Sequence, residues 1–160
     1  MLLRKTEHDS NKSIVLETDL YEPIRDWLLQ HNYTVRSEVL GCDIAATKDD
    51  TLIIIEMKLS FNMRLLMQAV RRQHHTDSVY VALPRPKRGI YSRRFREIKH
   101  LLRRLELGLI IVSINEKAPD IDIVFHPLPF AHRKYRKKRG MIIEEINSRS
   151  GDYNKGGSVR

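Results

Sequence analysis

Apolar residues recur along this chain at two spacings, one helical and one strand-like. Leu20, Ile24, Trp27 and Leu28 stand three and four positions apart and predict a helix over 19–31, in which Pro23 is tolerable only in the first turn or at a bend. Residues 33–39, YTVRSEV, alternate and predict a strand, and Leu40-Gly41 reads as a turn. CDIAATK and TLIIIEMK predict two further strands joined by Asp49-Asp50. Met63, Leu66, Met67 and Val70 mark one face of a helix over 61–74, and SVYVALP (78–84) a strand stopped by Pro84 and Pro86. Tyr91, Phe95, Ile98, Leu102 and Leu105 form the buried stripe of a helix over 91–106, and Gly108 ends it. LIIVSI (109–114) and DIDIVFH (120–126) are the last two strands. The order α-β-β-β-α-β-α-β-β predicts an α/β domain with a mixed sheet.

After Pro129 the pattern changes. HRKYRKKR places Arg133, Lys134, Arg136, Lys137, Lys138 and Arg139 around a single tyrosine, too much like charge for a core. A short helix over 141–149 and a polar GDYNKGGSVR follow. The expected organisation is a flexible N-terminus (1–14), one core domain (15–130) and a basic C-terminal appendage (131–160). Composition narrows the function. A net charge of +9 in 160 residues attracts polyanions, of which nucleic acid is the commonest. No apolar run, Leu52–Ile55 among them, comes near the length a bilayer requires, and the single cysteine, Cys42, suits a reducing cytoplasm.

The charged residues inside the apolar hairpin carry the chemistry. With Asp49-Asp50 as a two-residue loop, Lys48 faces Thr51 and Asp43 faces Glu56, whose Cβ atoms then stand roughly 5 Å apart. Alternation puts Glu56 and Lys58 on one face, so Asp43, Glu56 and Lys58 converge, unless the register slips by one. Two ionised carboxylates that close repel, and a hard cation such as Mg²⁺ relieves the repulsion while accepting water and phosphate oxygens. A lysine beside them can orient an attacking water or steady charge on a phosphoryl group. The alternative is an exposed hairpin face on which Lys58 merely pairs with Glu56.

Asp43, a gap of twelve residues, then Glu56-Met57-Lys58 resembles the PD-(D/E)XK nuclease superfamily, whose restriction-endonuclease-like core runs helix, three strands, helix, strand. From ETDLYEPI through GCDIAA, IEMKLS and VALPRP to GDYNKGGSVR the chain is similar to a branch of that superfamily described as phosphodiesterases. Cys42 replaces the proline of the superfamily's name. The resemblance implies cleavage of nucleic-acid phosphodiesters with Mg²⁺, Mn²⁺ substituting, without identifying the substrate; the expected partner is nucleic acid, DNA ahead of RNA. It implies metal ligands at Asp43 and Glu56, and catalytic roles for Lys58 and for Gln68 on the following helix. It also implies a supporting acid at Glu17. Arg64 and Arg72, four residues either side of Gln68, and the basic residues 133–139 would face phosphates.

Each of these has a plainer reading. Gln68 can be part of a solvated polar face, and Glu17 an acid favoured by a helix N-terminus. Glu38 ends the first strand near the site, and Glu22 reads as surface. His74 and His75 lack ligand spacing and read as an exposed helix end, and Cys42 as a small core residue. Arg93, Arg94, Arg96, Arg103 and Arg104 make a solvated face or a phosphate-binding one. A non-catalytic nucleic-acid-binding module on the same fold is the competing function. A basic scaffold for protein or ribosome is a third reading, and a homodimer is admissible.

Overall fold

The computed structural model describes residues 14, 16–114, 118–129, 141 and 144. The chain divides into two units, 1–130 and 131–160. In the second unit, Met141 and Glu144 are helical; Arg133, Lys134, Arg136, Lys137, Lys138 and Arg139 lie outside the described residues, as do positions 1–13.

The first unit carries nine described elements in the expected order: α1 (Thr18–Gln30), β1 (Thr34–Val39), β2 (Cys42–Lys48), β3 (Thr51–Met57), α2 (Met63–Arg72), β4 (Val79–Pro84), α3 (Arg93–Arg104), β5 (Gly108–Ile114) and β6 (Pro119–Phe125). They form one mixed sheet in the order β1-β2-β3-β4-β5-β6. β3, β4 and β5 run parallel because α2 and α3 return the chain between them, while the hairpins at both ends pair antiparallel. This mixed sheet between helices is compatible with a restriction-endonuclease-like fold.

Two apolar layers sandwich the sheet. Leu20, Ile24 and Leu28 of α1 pack on Ile44, Ile53, Ile55, Ala82 and Ile110. Leu65, Leu66 and Ala69 of α2, with Phe95 and Leu102 of α3, pack on Ile54, Val79, Val81, Leu109 and Ile111 on the other side. The central strands are buried on both faces and therefore read as continuous apolar runs, whereas β1 and β6 do not.

Three local expectations are corrected. Pro23 sits inside α1, in its second turn, and is buried, so the helix forgoes one backbone bond in return for apolar packing. Tyr91 lies outside α3 and is 86% exposed. Spacing predicts the apolar stripe of α2 at 63, 66, 67 and 70; the structure buries Leu65, Leu66 and Ala69 and leaves Met63 and Met67 more than half exposed. Leu65, Leu66 and Ala69 make an apolar stripe of their own against the sheet, and the same rotation carries Arg72 over the buried Glu56.

One close approach is testable. A Cβ on Gly108 would stand 2.5 Å from Tyr80 Cδ1 and 2.8 Å from Pro127 Cδ. The Tyr80 ring cannot easily yield, because its hydroxyl is tied to His126 Nδ1 at 2.8 Å. Gly108→Ala should cost about 1–3 kcal/mol in urea unfolding, the usual penalty of overpacking. An unchanged midpoint would mean that the ring swings aside.

Candidate active site

The β2–β3 hairpin has the expected register: Lys48 faces Thr51 and Ile44 faces Ile55, which puts Asp43 and Glu56 next in line. At that point regular pairing gives way to a side chain. Met57 N–H donates to Asp43 Oδ2 at 2.8 Å, so the aspartate is fixed against the Glu56–Met57 peptide. Ile54 and Glu56 point to the α2 side while Ile53, Ile55 and Met57 point to α1. Asp43 shares the α2 side with Glu56, since its neighbour Ile44 points to α1 and strand side chains alternate. Cys42 does not alternate away from it. The strand starts at a tight turn, and Cys42 packs beside Leu65 and Leu66 instead.

Glu56 is the only buried charged side chain among the described residues, with no solvent exposure at all. Arg72 Nε donates to its Oε1 at 2.6 Å, and Arg72 is itself only 14% exposed. Glu56 Oε2 is buried and has no hydrogen-bond partner among the described residues. The Glu56 carboxyl is held above its ordinary value of 4.5. Burial is the main cause, and Asp43 adds to it by its charge and by a hydrogen bond that favours a protonated Glu56, while the Arg72 hydrogen bond and charge oppose them. Burial likewise pushes the Cys42 thiol up, which makes it a poor nucleophile.

Arg72 also donates through Nη2 to the Gly41 carbonyl. One guanidinium therefore holds both Glu56 and the turn that leads into Asp43. Sequence reasoning places Arg72 toward phosphate; the structure turns it inward, and this anchoring role is one that spacing misses. The signal is present in the sequence, since an acid within IIIEM needs a cation, but Arg64, Arg71 and Arg72 cannot be ranked without the rotation of α2.

Lys58 and Glu17 form a second pair. Lys58 Nζ lies 2.9 Å from Glu17 Oε1, and its backbone N–H donates to the Ala82 carbonyl. Among the described residues Lys58 makes its ion pair with Glu17, and with neither Asp43 nor Glu56. The structure thus joins Asp43 to Glu56, and Glu17 to Lys58, at the neighbouring ends of β2 and β3. Gln68 is half-buried on α2, and Arg64 is exposed on its first turn. Glu38, Glu22, His74 and His75 are not buried.

The turn between β1 and β2 is unusual. Val39 pairs with Cys42, so Leu40 and Gly41 are its two central residues, at φ 49° and 80°. Both being left-handed is the type I′ arrangement that favours Asn-Gly or Asp-Gly. Gly41 meets that demand. Leu40 does not, and the left-handed conformation costs a leucine about 1–2 kcal/mol.

Among the described residues, no helix is long and apolar enough to cross a membrane, and no group of three or more His, Cys, Asp or Glu could hold a metal ion. Residues 110–160 match the model of a family described as "Putative PD-(D/E)XK phosphodiesterase (DUF2161)". That description is the branch which the stretch from ETDLYEPI to GDYNKGGSVR resembles; the matched span begins in β5 and does not reach Asp43, Glu56 or Lys58. No curated protein and no solved structure matches the chain.

Proposed function

We propose that this protein is a divalent-metal-dependent phosphodiesterase that hydrolyses nucleic-acid phosphodiester bonds, DNA rather than RNA, with Asp43 and Glu56 as the metal ligands. The observation that carries this reading is Glu56 Oε2, a fully buried carboxylate oxygen without a partner among the described residues, beside a second acid. A native buried oxygen left in that state marks a place for an ion, a proton or a functional role. The two carboxylates suit a hard cation: Oε2 and Asp43 are the donors, while Arg72 retains Oε1. A bound Mg²⁺ or Mn²⁺ supplies a Lewis acid that neutralises charge on the phosphoryl oxygens.

The remaining work falls to the chain's own groups. Lys58, whose ammonium is held by Glu17, orients the attacking water and steadies the charge that develops on the phosphoryl oxygens. Gln68 and Arg64 orient the phosphate backbone from α2. A net charge of +9 draws the polyanion in, with residues 131–160 as its outlying contact. The single thiol suits a cytoplasmic setting.

The test is a cleavage assay over single-stranded, duplex and branched DNA and RNA, with Mg²⁺, Mn²⁺ or EDTA, run beside calorimetric titration of the ion into the apo protein. Metal uptake and metal-dependent cleavage support the reading; nucleic-acid binding with neither would replace it. That second outcome defines the non-catalytic binding module, and the Arg72–Glu56 ion pair favours it, because an arginine already neutralises the carboxylate.

The appendage makes a separate prediction. Phosphate contacts release counter-ions, so affinity should fall steeply with salt, with a slope of about −0.9 per duplex phosphate neutralised. Deleting 131–160 should flatten that slope while sparing the fold of 15–130. An unchanged slope would reduce the basic run to a solubilising segment.

A further inference from the structure

We propose that Leu40 is an apolar wedge that enters the base stack of a double-stranded substrate beside the phosphate to be cut; this rests on the phosphodiesterase reading above. Three observations converge on this residue. Leu40 is 93% exposed, the most exposed of the large apolar side chains among the described residues. It occupies the first central position of a type I′ turn at φ 49°, where asparagine, aspartate or glycine would sit without strain. The same chain supplies the comparison: at the other hairpin, between β2 and β3, the left-handed position at φ 51° is taken by Asp49, and Asn32, Glu38 and Glu106, which also adopt positive φ, are all polar. Leucine at the first turn therefore opposes both solvation and backbone preference. Strain of this kind persists where its surroundings enforce it, and it gathers at functional sites.

The surroundings here do enforce it. Gly41, the next residue, gives its carbonyl to Arg72, whose Nε holds Glu56. Asp43 follows three residues after Leu40 and is fixed to Met57 N–H. The tip of the hairpin is thus rigidly tied to both candidate metal ligands, so an apolar side chain projecting from it has a fixed relation to the reacting phosphate.

The occupant follows from charge. The chain is strongly basic and the neighbouring α2 carries Arg64 and Arg71 exposed, so the partner presents phosphates. Within a polyanion, the apolar element that receives a leucine is the interior of the base stack. Proteins that kink duplexes insert leucine, phenylalanine or methionine in this way, and the cost of unstacking is offset by the larger protein surface that the bent duplex then touches. The wedge implies a preference for duplexes whose stack opens easily, such as those with a mismatch or a flexible pyrimidine–purine step.

The experiment uses the full chain in EDTA, so that nothing is cut, and a duplex carrying 2-aminopurine, whose fluorescence rises on unstacking. Wild type should bind the duplex and raise the fluorescence. Leu40→Asn should abolish the rise and weaken duplex binding roughly tenfold or more, the scale of a leucine's lost burial, while leaving single-strand affinity unchanged. Leu40→Met should retain the rise. Thermal unfolding of Leu40→Asn at or above the wild-type midpoint will show that the fold is intact. Duplex binding by wild type without any rise overturns the wedge and leaves the phosphodiesterase reading standing. A rise that survives in Leu40→Asn does the same. Failure of wild type to bind any nucleic acid, in EDTA or with Mg²⁺ added, overturns both.

Discussion

Arg72→Met will destabilise the apo protein at pH 8 by about 3 kcal/mol or more, the range found when one partner of a buried ion pair is removed. Methionine fills much of the same volume, so the loss reports charge rather than a cavity. It leaves Glu56 without solvent and without a cation, and releases the Gly41 carbonyl as well. The loss will depend on pH with a definite sign. Glu56 has a folded pKa above its ordinary 4.5, so the folded protein binds more protons than the unfolded chain in the window just above that value. Stability therefore falls as pH rises from 4.5 through the folded pKa and levels off beyond it. In Arg72→Met the two influences that lower the folded pKa are gone, so the falling window extends upward. The cost of the substitution will be smaller at about pH 4, where the carboxyl takes up a proton in the folded state and the Gly41 contact is the main loss, than at pH 8. Urea unfolding at the two pH values decides the matter: an equal loss at both would mean that Arg72 acts through packing alone.

Glu56→Gln separates function from stability at the same position. Gln retains an oxygen for Arg72 and places an amide beside Asp43, so buried polar groups stay satisfied and one charge is withdrawn from beside another. The apo protein should be as stable as wild type to within about 1 kcal/mol, or more stable. Metal-dependent cleavage should fall by roughly 10³-fold or further, since a metal ion supplies several kcal/mol of charge stabilisation and each 1.36 kcal/mol is about tenfold in rate. Calorimetry should show the ion's binding lost. If Glu56→Gln instead costs several kcal/mol and metal uptake is unaffected, Glu56 is an anchor for α2 and the candidate active site has no metal ligand there. The two variants together distinguish an acid kept for chemistry from one kept for the Arg72 pair.

Local rules carry much of this protein unaided. Element order follows from spacing alone, because a buried helix face needs a period near 3.6 and a strand a period of 2. The facing of Asp43 and Glu56 also follows, since a two-residue loop fixes hairpin register, and the turn at 49–50 sits only a few residues from both acids. Those are short-range consequences of covalent geometry. What tertiary structure decides is which polar groups meet across elements. α2 could have buried Met63, Met67 and Val70 on hydrophobicity; it turns instead to bury Leu65, Leu66 and Ala69, and that face carries Arg72 over Glu56, where an unpaired carboxylate would be costly. Lys58 shares strand parity with Glu56, yet the strand ends at Met57, and its ammonium goes to Glu17 beside α1. Leu40 and Gly41 read as a turn from sequence, but only the backbone shows that both are left-handed. Hydrophobic period is written one residue at a time, whereas the pairing of charges is settled by the distance between side chains that the sequence leaves far apart.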